Sequence, residues 1–281
     1  MKLSNTELEF LRTSLTGTPV IRPDSRHAGQ LRPIESEIDI LPMTYGSARV
    51  RAPDGSDCIV GVKAKVVNRH DDLIDVSVDI AGLKDNDALP NSLALVLKQV
   101  LDSCPEITNN ALIINDKYGF NLSVDCVVLS YSSHPLVILS AAIFQALKST
   151  HLPKQLDSLE MDENMDLTKT KTADEAEIPQ FDDDWSQSVP LCPEGWTPPL
   201  LFIVSAINNT VVIDPTINEQ LVAEASMFFT WKNSKVSAPI ETLNTGSTPY
   251  LGAFAPELLL EAYSLVENCA PALEQSLLSS E

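Results

Sequence analysis

From Cys58 onward the apolar residues fall on every second position, and that pattern restricts the fold more than any other. Cys58, Val60, Val62, Ala64 and Val66 share one face of an extended stretch, while Ile59, Lys63 and Lys65 take the other. A period of two belongs to a strand with one side against a core. Just ahead, Ala52-Pro53-Asp54-Gly55-Ser56 reads as a hairpin turn, with proline and glycine supplying the dihedrals it needs. Arg49, Val50 and Arg51 continue the partner strand, Ile38 and Ile40 alternate in an earlier one, and Val76, Val78 and Ile80 mark a fourth. The predicted arrangement is an antiparallel meander with one buried face.

Helical spacing appears around and after these strands. Leu8, Leu11 and Leu15 predict a helix over residues 4–16, capped by Ser4 or Asn5 with Glu7 reaching back. Leu93, Val96, Leu97, Val100 and Leu101 form a stripe in a helix from Leu89 to Leu101. A short strand is predicted at Leu112–Ile114. Another runs through Leu122, Val124, Cys126 and Val128, with Val127–Leu129 buried on both faces. Pro135 opens a helix lined on one side by Leu136, Leu139, Ile143 and Leu147, and Ser132 or Ser133 is its expected cap. Further on, hairpins turn at Asn208-Asn209 and Asn233-Ser234, and a last helix is ended or restarted at Pro271. Strands followed by a helix occur twice, which predicts an α+β chain of two like-built halves. The expected divisions are an N-terminal helix and arm (1–30), a first domain (31–152), an acidic, proline-containing insertion (153–199) and a second domain (200–281). The insertion is expected to offer little to a core.

Charge is distributed unevenly. The net charge is −20, yet residues 1–70 carry ten Lys and Arg against eight acids, leaving −22 for the remainder. Residues 157–184 alone hold eleven acids and two lysines. Such a surface repels a polyanion, so any contact with nucleic acid falls to the N-terminal third. Five cysteines without CxxC spacing indicate buried thiols rather than a disulfide framework or a zinc site. His27, His70, His134 and His151 lack metal-ligand spacing, and Asp71-Asp72 and Asp182-Asp183-Asp184 are read as solvated faces. The N-terminal residues lack the apolar core of a secretory signal.

Two basic features stand out. Arg22-Pro23-Asp24-Ser25-Arg26 places two guanidinium groups around a Pro-Asp turn, with Arg32 beyond it, a corner suited to phosphate or to a neighbour's carboxylates. Arg49, Arg51, Lys63 and Lys65 lie on adjacent hairpin strands and define either a basic patch or solvated edge charges.

The order Arg22–Arg26, Arg32-Pro33-Ile34-Glu35, Gly46–Arg51, Asp57–Val66, Leu73–Gly82, Ser133-His134-Pro135-Leu136 and Val211–Glu219 resembles the RNase PH superfamily over nearly the whole chain. Within it the likeness is to ring subunits of the eukaryotic RNA exosome. Ser25 stands where that family usually has glycine. The resemblance implies an RNase-PH-like α+β fold of two β-α halves with mixed sheets, in rings of six topped by RNA-binding cap proteins. Phosphorolytic members hold phosphate with a Gly-Ser/Thr-Arg segment at the start of the second helix, where free amides and a guanidinium suit an anion. Here Ser133-His134-Pro135-Leu136 occupies that place: proline removes a donor, and leucine replaces the guanidinium. Catalytic members also carry two aspartates. Asp214 matches the first, and only Glu224 can stand for the second.

The expectation is therefore a non-catalytic ring subunit with no catalytic residue, metal or cofactor. It would partner homologous ring subunits, RNA-binding caps and a separate 3′-to-5′ exoribonuclease. Single-stranded RNA would pass through the assembled channel, with Arg22, Arg26, Arg32, Arg49, Arg51, Lys63 and Lys65 facing RNA or neighbours. No membrane is involved, and the expected location is the nucleus, including the nucleolus, and the cytoplasm. The rivals are a phosphate-dependent 3′-to-5′ exoribonuclease and an acidic adaptor that recruits a basic partner through residues 157–184.

Overall fold

The computed structural model describes residues 3–17, 19–69, 72–84, 86–156, 179–182, 184–193, 195–242 and 254–279. Helix α1 (Asn5–Thr16) begins as expected: Ser4 and Glu7 form a reciprocal capping box that satisfies two amides with no partner inside the helix.

The first sheet contains β1 (Glu35–Ile38), β2 (Gly46–Arg51), β3 (Asp57–Asn68), β4 (Ile74–Ile80) and β5 (Tyr118–Ser130) in the order β1-β2-β3-β5-β4. The meander ends at β3. Helix α2 (Ala88–Asp102) carries the chain across, so that β5 enters between β3 and β4, antiparallel to the first and parallel to the second. Length explains the insertion. Thirteen-residue β5 matches twelve-residue β3 along its whole course, pairing the inward set of β3 with Cys126, Val124, Leu122 and Phe120. In place of the short strand predicted at 112–114, a π-type turn (Glu106–Ala111) is followed by one isolated bridge, Ile113 to Gly119. Ile107 and Leu112 are buried there, and the Leu112 carbonyl accepts from the Phe120 amide of β5 at 2.8 Å. Val127 and Leu129, predicted to be covered on both faces, are 37% and 43% exposed because they point to the outer side of the sheet.

Helix α3 (Leu136–Ser149) is buried from Leu136 through Leu147, not along one stripe, because it lies between two sheets. Gly46 makes this approach possible: a Cβ there would meet Thr150 and come within 2.5 Å of the Ala146 carbonyl oxygen. Beyond α3, β6 (His151–Leu152) pairs with β7 (Val189–Pro190), and a single 3-10 turn, Trp185–Gln187, precedes β7. Leu191, Cys192 and Trp196 are buried in the main core. This part of the expected insertion is thus structural. The acidic stretch 157–178 and residues His70, Asp71 and Asp183 lie outside the described residues.

The second sheet has the order β11-β10-β8-β9, all antiparallel, built from β8 (Leu200–Ile207), β9 (Thr210–Ile213), β10 (Ala225–Lys232) and β11 (Lys235–Thr242). Asn233 and Ser234 both have positive φ, the geometry that matches a two-residue turn to strand twist. Helix α4 (Ile217–Val222) follows β9. Helix α5 (Pro256–Leu278) runs straight through Pro271, contrary to the predicted break. Ala270, Leu273 and Leu277 are buried on both sides of the proline, and their packing holds the helix where propensity alone would end it.

Candidate functional site

The arm turns inward. Asp24 accepts from the amide of Arg26 at 3.2 Å, Ser25 donates to the carbonyl of Arg22 at 3.0 Å, and Ser25 keeps the left-handed φ of +63° that favours glycine. This turn sends both guanidinium groups into the protein. Arg22, 2% exposed, donates from Nε and Nη2 to the two carboxylate oxygens of Glu219, each at 2.8 Å. Arg26 donates from Nη1 to Asp214 Oδ2 at 3.0 Å and from Nη2 to the Asp214 carbonyl at 2.9 Å. Arg32 grips the Asp214 carboxylate side-on, Nε and Nη2 both at 2.7 Å, while its Nη1 reaches Asp54 at 3.0 Å and Ser56 at 3.1 Å. Where the sequence reading had these three arginines facing RNA or a neighbour, they are enclosed by their own chain. The reason is charge: two fully buried carboxylates, Asp214 and Glu219, need counterions.

Asp214 sits where β9 ends, with φ of +50° and no solvent exposure. Both of its oxygens accept charge-assisted hydrogen bonds, including one from the Arg32 amide at 3.2 Å. Oδ2 accepts three hydrogen bonds and Oδ1 one, all from arginines, and the carboxylate is fully buried. Glu224 is exposed and contributes only its backbone amide, to Ala206. The second buried acid is instead Glu219, which sequence reasoning left without a role. Its signal was present as Thr216-x-x-Glu219, a capping box in which Thr216 accepts from the Glu219 amide and Glu219 accepts from the Thr216 amide.

The segment that precedes α3 completes the site. Ser133 donates to Asp54 at 3.0 Å and the Ser132 amide donates to Ser56, so neither serine caps the helix. His134 does that instead, its Nδ1 accepting from the Leu136 amide at 3.2 Å. Its carbonyl accepts from Arg32 Nη2 and its amide donates to Pro215. The imidazole is 1% exposed, and Nε2 has no hydrogen-bond partner among the described residues. Burial first, and then the neighbouring Arg32 charge, push the His134 pKa down to about 3 against the pull of Asp214. Burial lowers Arg32 as well, but Asp214 and Asp54 outweigh it and hold that guanidinium above the usual arginine range. Where phosphorolytic relatives would offer amides and an arginine, this chain has a proline nitrogen without a proton, an amide already bonded to an imidazole, and a buried leucine.

Arg49, Arg51, Lys63 and Lys65 all lie on the outer face of the first sheet, together and away from Asp214. They do not form a continuous basic patch. Arg49 pairs with Asp57 at 2.7 Å, Arg51 with Glu37, and Lys63 with Asp125 at 3.0 Å, while Lys65 stands exposed. Among the described residues no cluster of three potential metal-ligating side chains is present.

No family model matches the chain. A chain of an archaeal exosome core superposes with a TM-score of 0.70 at 17% identity, covering 97% of this chain and 96% of that one. A chain of the Archaeoglobus fulgidus exosome, solved with RNA bound to the active site, gives 0.72 at 17% identity, with 97% and 98% covered. Rice Rrp46 gives 0.61 at 14% identity, with 91% and 97% covered. The two sheets enclosing a buried helix are thus the RNase-PH-like α+β fold. Sequence similarity narrows the class. Exosome complex component RRP42 of Saccharomyces cerevisiae is 37% identical over 282 residues, 99% of both chains. Its Schizosaccharomyces pombe counterpart is 31% identical over 239 residues, 80% of this chain and 77% of that one. The chain belongs to the Rrp42 family of exosome complex components.

Proposed function

We propose that this chain is a non-catalytic structural subunit of a six-membered exosome ring and helps form the channel through which single-stranded RNA reaches a separate 3′-to-5′ exoribonuclease. It acts in ribosomal-RNA processing and RNA decay, in the nucleus, nucleolus and cytoplasm, beside homologous ring subunits and RNA-binding caps. The supporting observation is the side-on pair between Arg32 and Asp214. It binds the one acid that matches a catalytic position to a guanidinium on both oxygens, inside the protein. The start of α3, with Pro135 and Leu136, offers no second anchor for an anion. Any contact with RNA rests on backbone phosphate and on Arg49, Arg51, Lys63 and Lys65, and the carboxylate partners of the first three make it weak and salt-sensitive. The same reading divides the chain into the arm (1–30), two RNase PH-like domains (31–152 and 200–281) and the segment between them (153–199).

Incubating the purified chain with a short RNA, inorganic phosphate and magnesium tests the non-catalytic reading. No nucleoside diphosphate should accumulate above a blank. Sustained release that disappears in Asp214→Ala would overturn it. Purification of the native complex followed by mass measurement identifies the neighbouring subunits.

A further inference from the structure

An exposed apolar corner lies away from the arginine cluster, where the loop after β1 meets the small β6–β7 sheet. The Tyr45 carbonyl accepts from the His151 amide at 3.1 Å, which ties the loop to β6. Trp185 rests on the Tyr45 ring, centroids 5.6 Å apart and planes tilted by 41°, and remains 52% exposed. Val189, on β7, is 50% exposed, and Met43, in the loop, is 89% exposed. Leu41 of the same loop is 37% exposed. An indole supported on one side and open on the other is costly to leave in water unless something covers it.

The local charge indicates what that is. Asp182 and Asp184 lie just before Trp185 in the chain, and each spends only Oδ1 on a turn: Asp182 on the Asp184 amide, Asp184 on the Ser186 amide and hydroxyl. Neither forms an ion pair among the described residues, because the nearby Lys154 reaches Gln187 instead. An open aromatic face in a segment that carries two such carboxylates attracts a cation and repels phosphate. Arginine suits such a place, because its planar guanidinium stacks on a ring while donating to a carboxylate.

We propose that Leu41, Met43, Tyr45, Trp185 and Val189, bordered by Asp182 and Asp184, form a docking surface for an arginine-bearing apolar segment of a partner protein. Direct contact with RNA is not its purpose, so the proposal does not depend on the channel reading.

The test is fluorescence anisotropy of a labelled peptide alternating leucine and arginine, titrated with the full chain. Saturable binding should weaken about tenfold in Trp185→Ala. The double variant Asp182→Asn/Asp184→Asn should weaken it similarly and flatten its salt dependence. Trp185 and Asp184 are exposed and Asp182 is half-buried, and an unchanged unfolding curve confirms that the fold survives. Equal affinity for wild type and Trp185→Ala would overturn the proposal. So would equal binding of a leucine-glutamate peptide, or quenching of the exposed indole by an oligouridylate of similar length.

Discussion

Asp214 shows how a residue suited to catalysis becomes a structural one. Its carboxylate is buried, shared between Arg26 and Arg32, and held by a left-handed backbone at the end of β9. Buried ion pairs contribute little net stability, but breaking one leaves an uncompensated charge. Asp214→Asn should therefore lower unfolding free energy by about 3–5 kcal/mol in a urea titration, with the slope unchanged. A catalytic acid would behave differently, losing activity while stability stayed the same or rose. The motif residues were legible here: Arg22, Arg26, Arg32 and Asp214 all stood out in the sequence. Their contacts were not, because each arginine is more than 180 positions from Asp214, and no local pattern encodes a pairing between Arg32 and Asp214.

The elements divide by how local their determinants are. The capping boxes of α1 and α4, the Asn233-Ser234 hairpin and the alternation along β3 are written within a few residues. The position of β5 between β3 and β4 depends on strand length and a crossover, and a nearest-neighbour reading produced a meander instead. Pro271 inside α5 and the all-round burial of α3 likewise depend on what packs against them. Gly46 is the clearest case. Its role is to let β2 touch the C-terminal end of α3. Gly46→Ala would drive a methyl group into Thr150 and the Ala146 carbonyl, neither of which is the free end of a flexible chain. A loss of about 3 kcal/mol is expected, measurable as a lowered midpoint in thermal unfolding.

At the scale of the whole molecule, both halves meet at one polar knot. Arg32 joins the turn before β3, through Asp54 and Ser56, to the end of β9, and Ser133 bridges to Thr216. Elsewhere the halves are joined by the apolar flanks of α3 and by single bonds such as Gln145 to the Leu277 carbonyl at 2.7 Å. His134 lies at this junction and makes its stability depend on pH. The unfolded chain binds a proton near pH 6.5, whereas the folded one does so only near about 3. Stability is therefore complete above pH 6.5 and falls as the pH drops towards 3, with a limiting slope of about 1.4 kcal/mol per unit. Chemical denaturation at pH 7.5 and pH 5.5 should show this loss. His134→Asn, which keeps an acceptor for the Leu136 amide but does not titrate, should be nearly flat over the same interval.

Composition, periodicity and turn chemistry were sufficient to place most strands and helices and the two-half α+β plan, because each depends on neighbours within about seven residues; β6, β7 and α4 were not read, and the strand expected at 112–114 did not form. The motif order was sufficient to name the superfamily. What the side chains face was decided only on folding. Three arginines that appeared to reach outward fold inward, since a buried carboxylate costs far more without a counterion than an exposed guanidinium gains from water. A patch of four basic side chains is largely cancelled by acids on adjacent strands, and that cancellation depends on cross-strand register, which a linear sequence does not display.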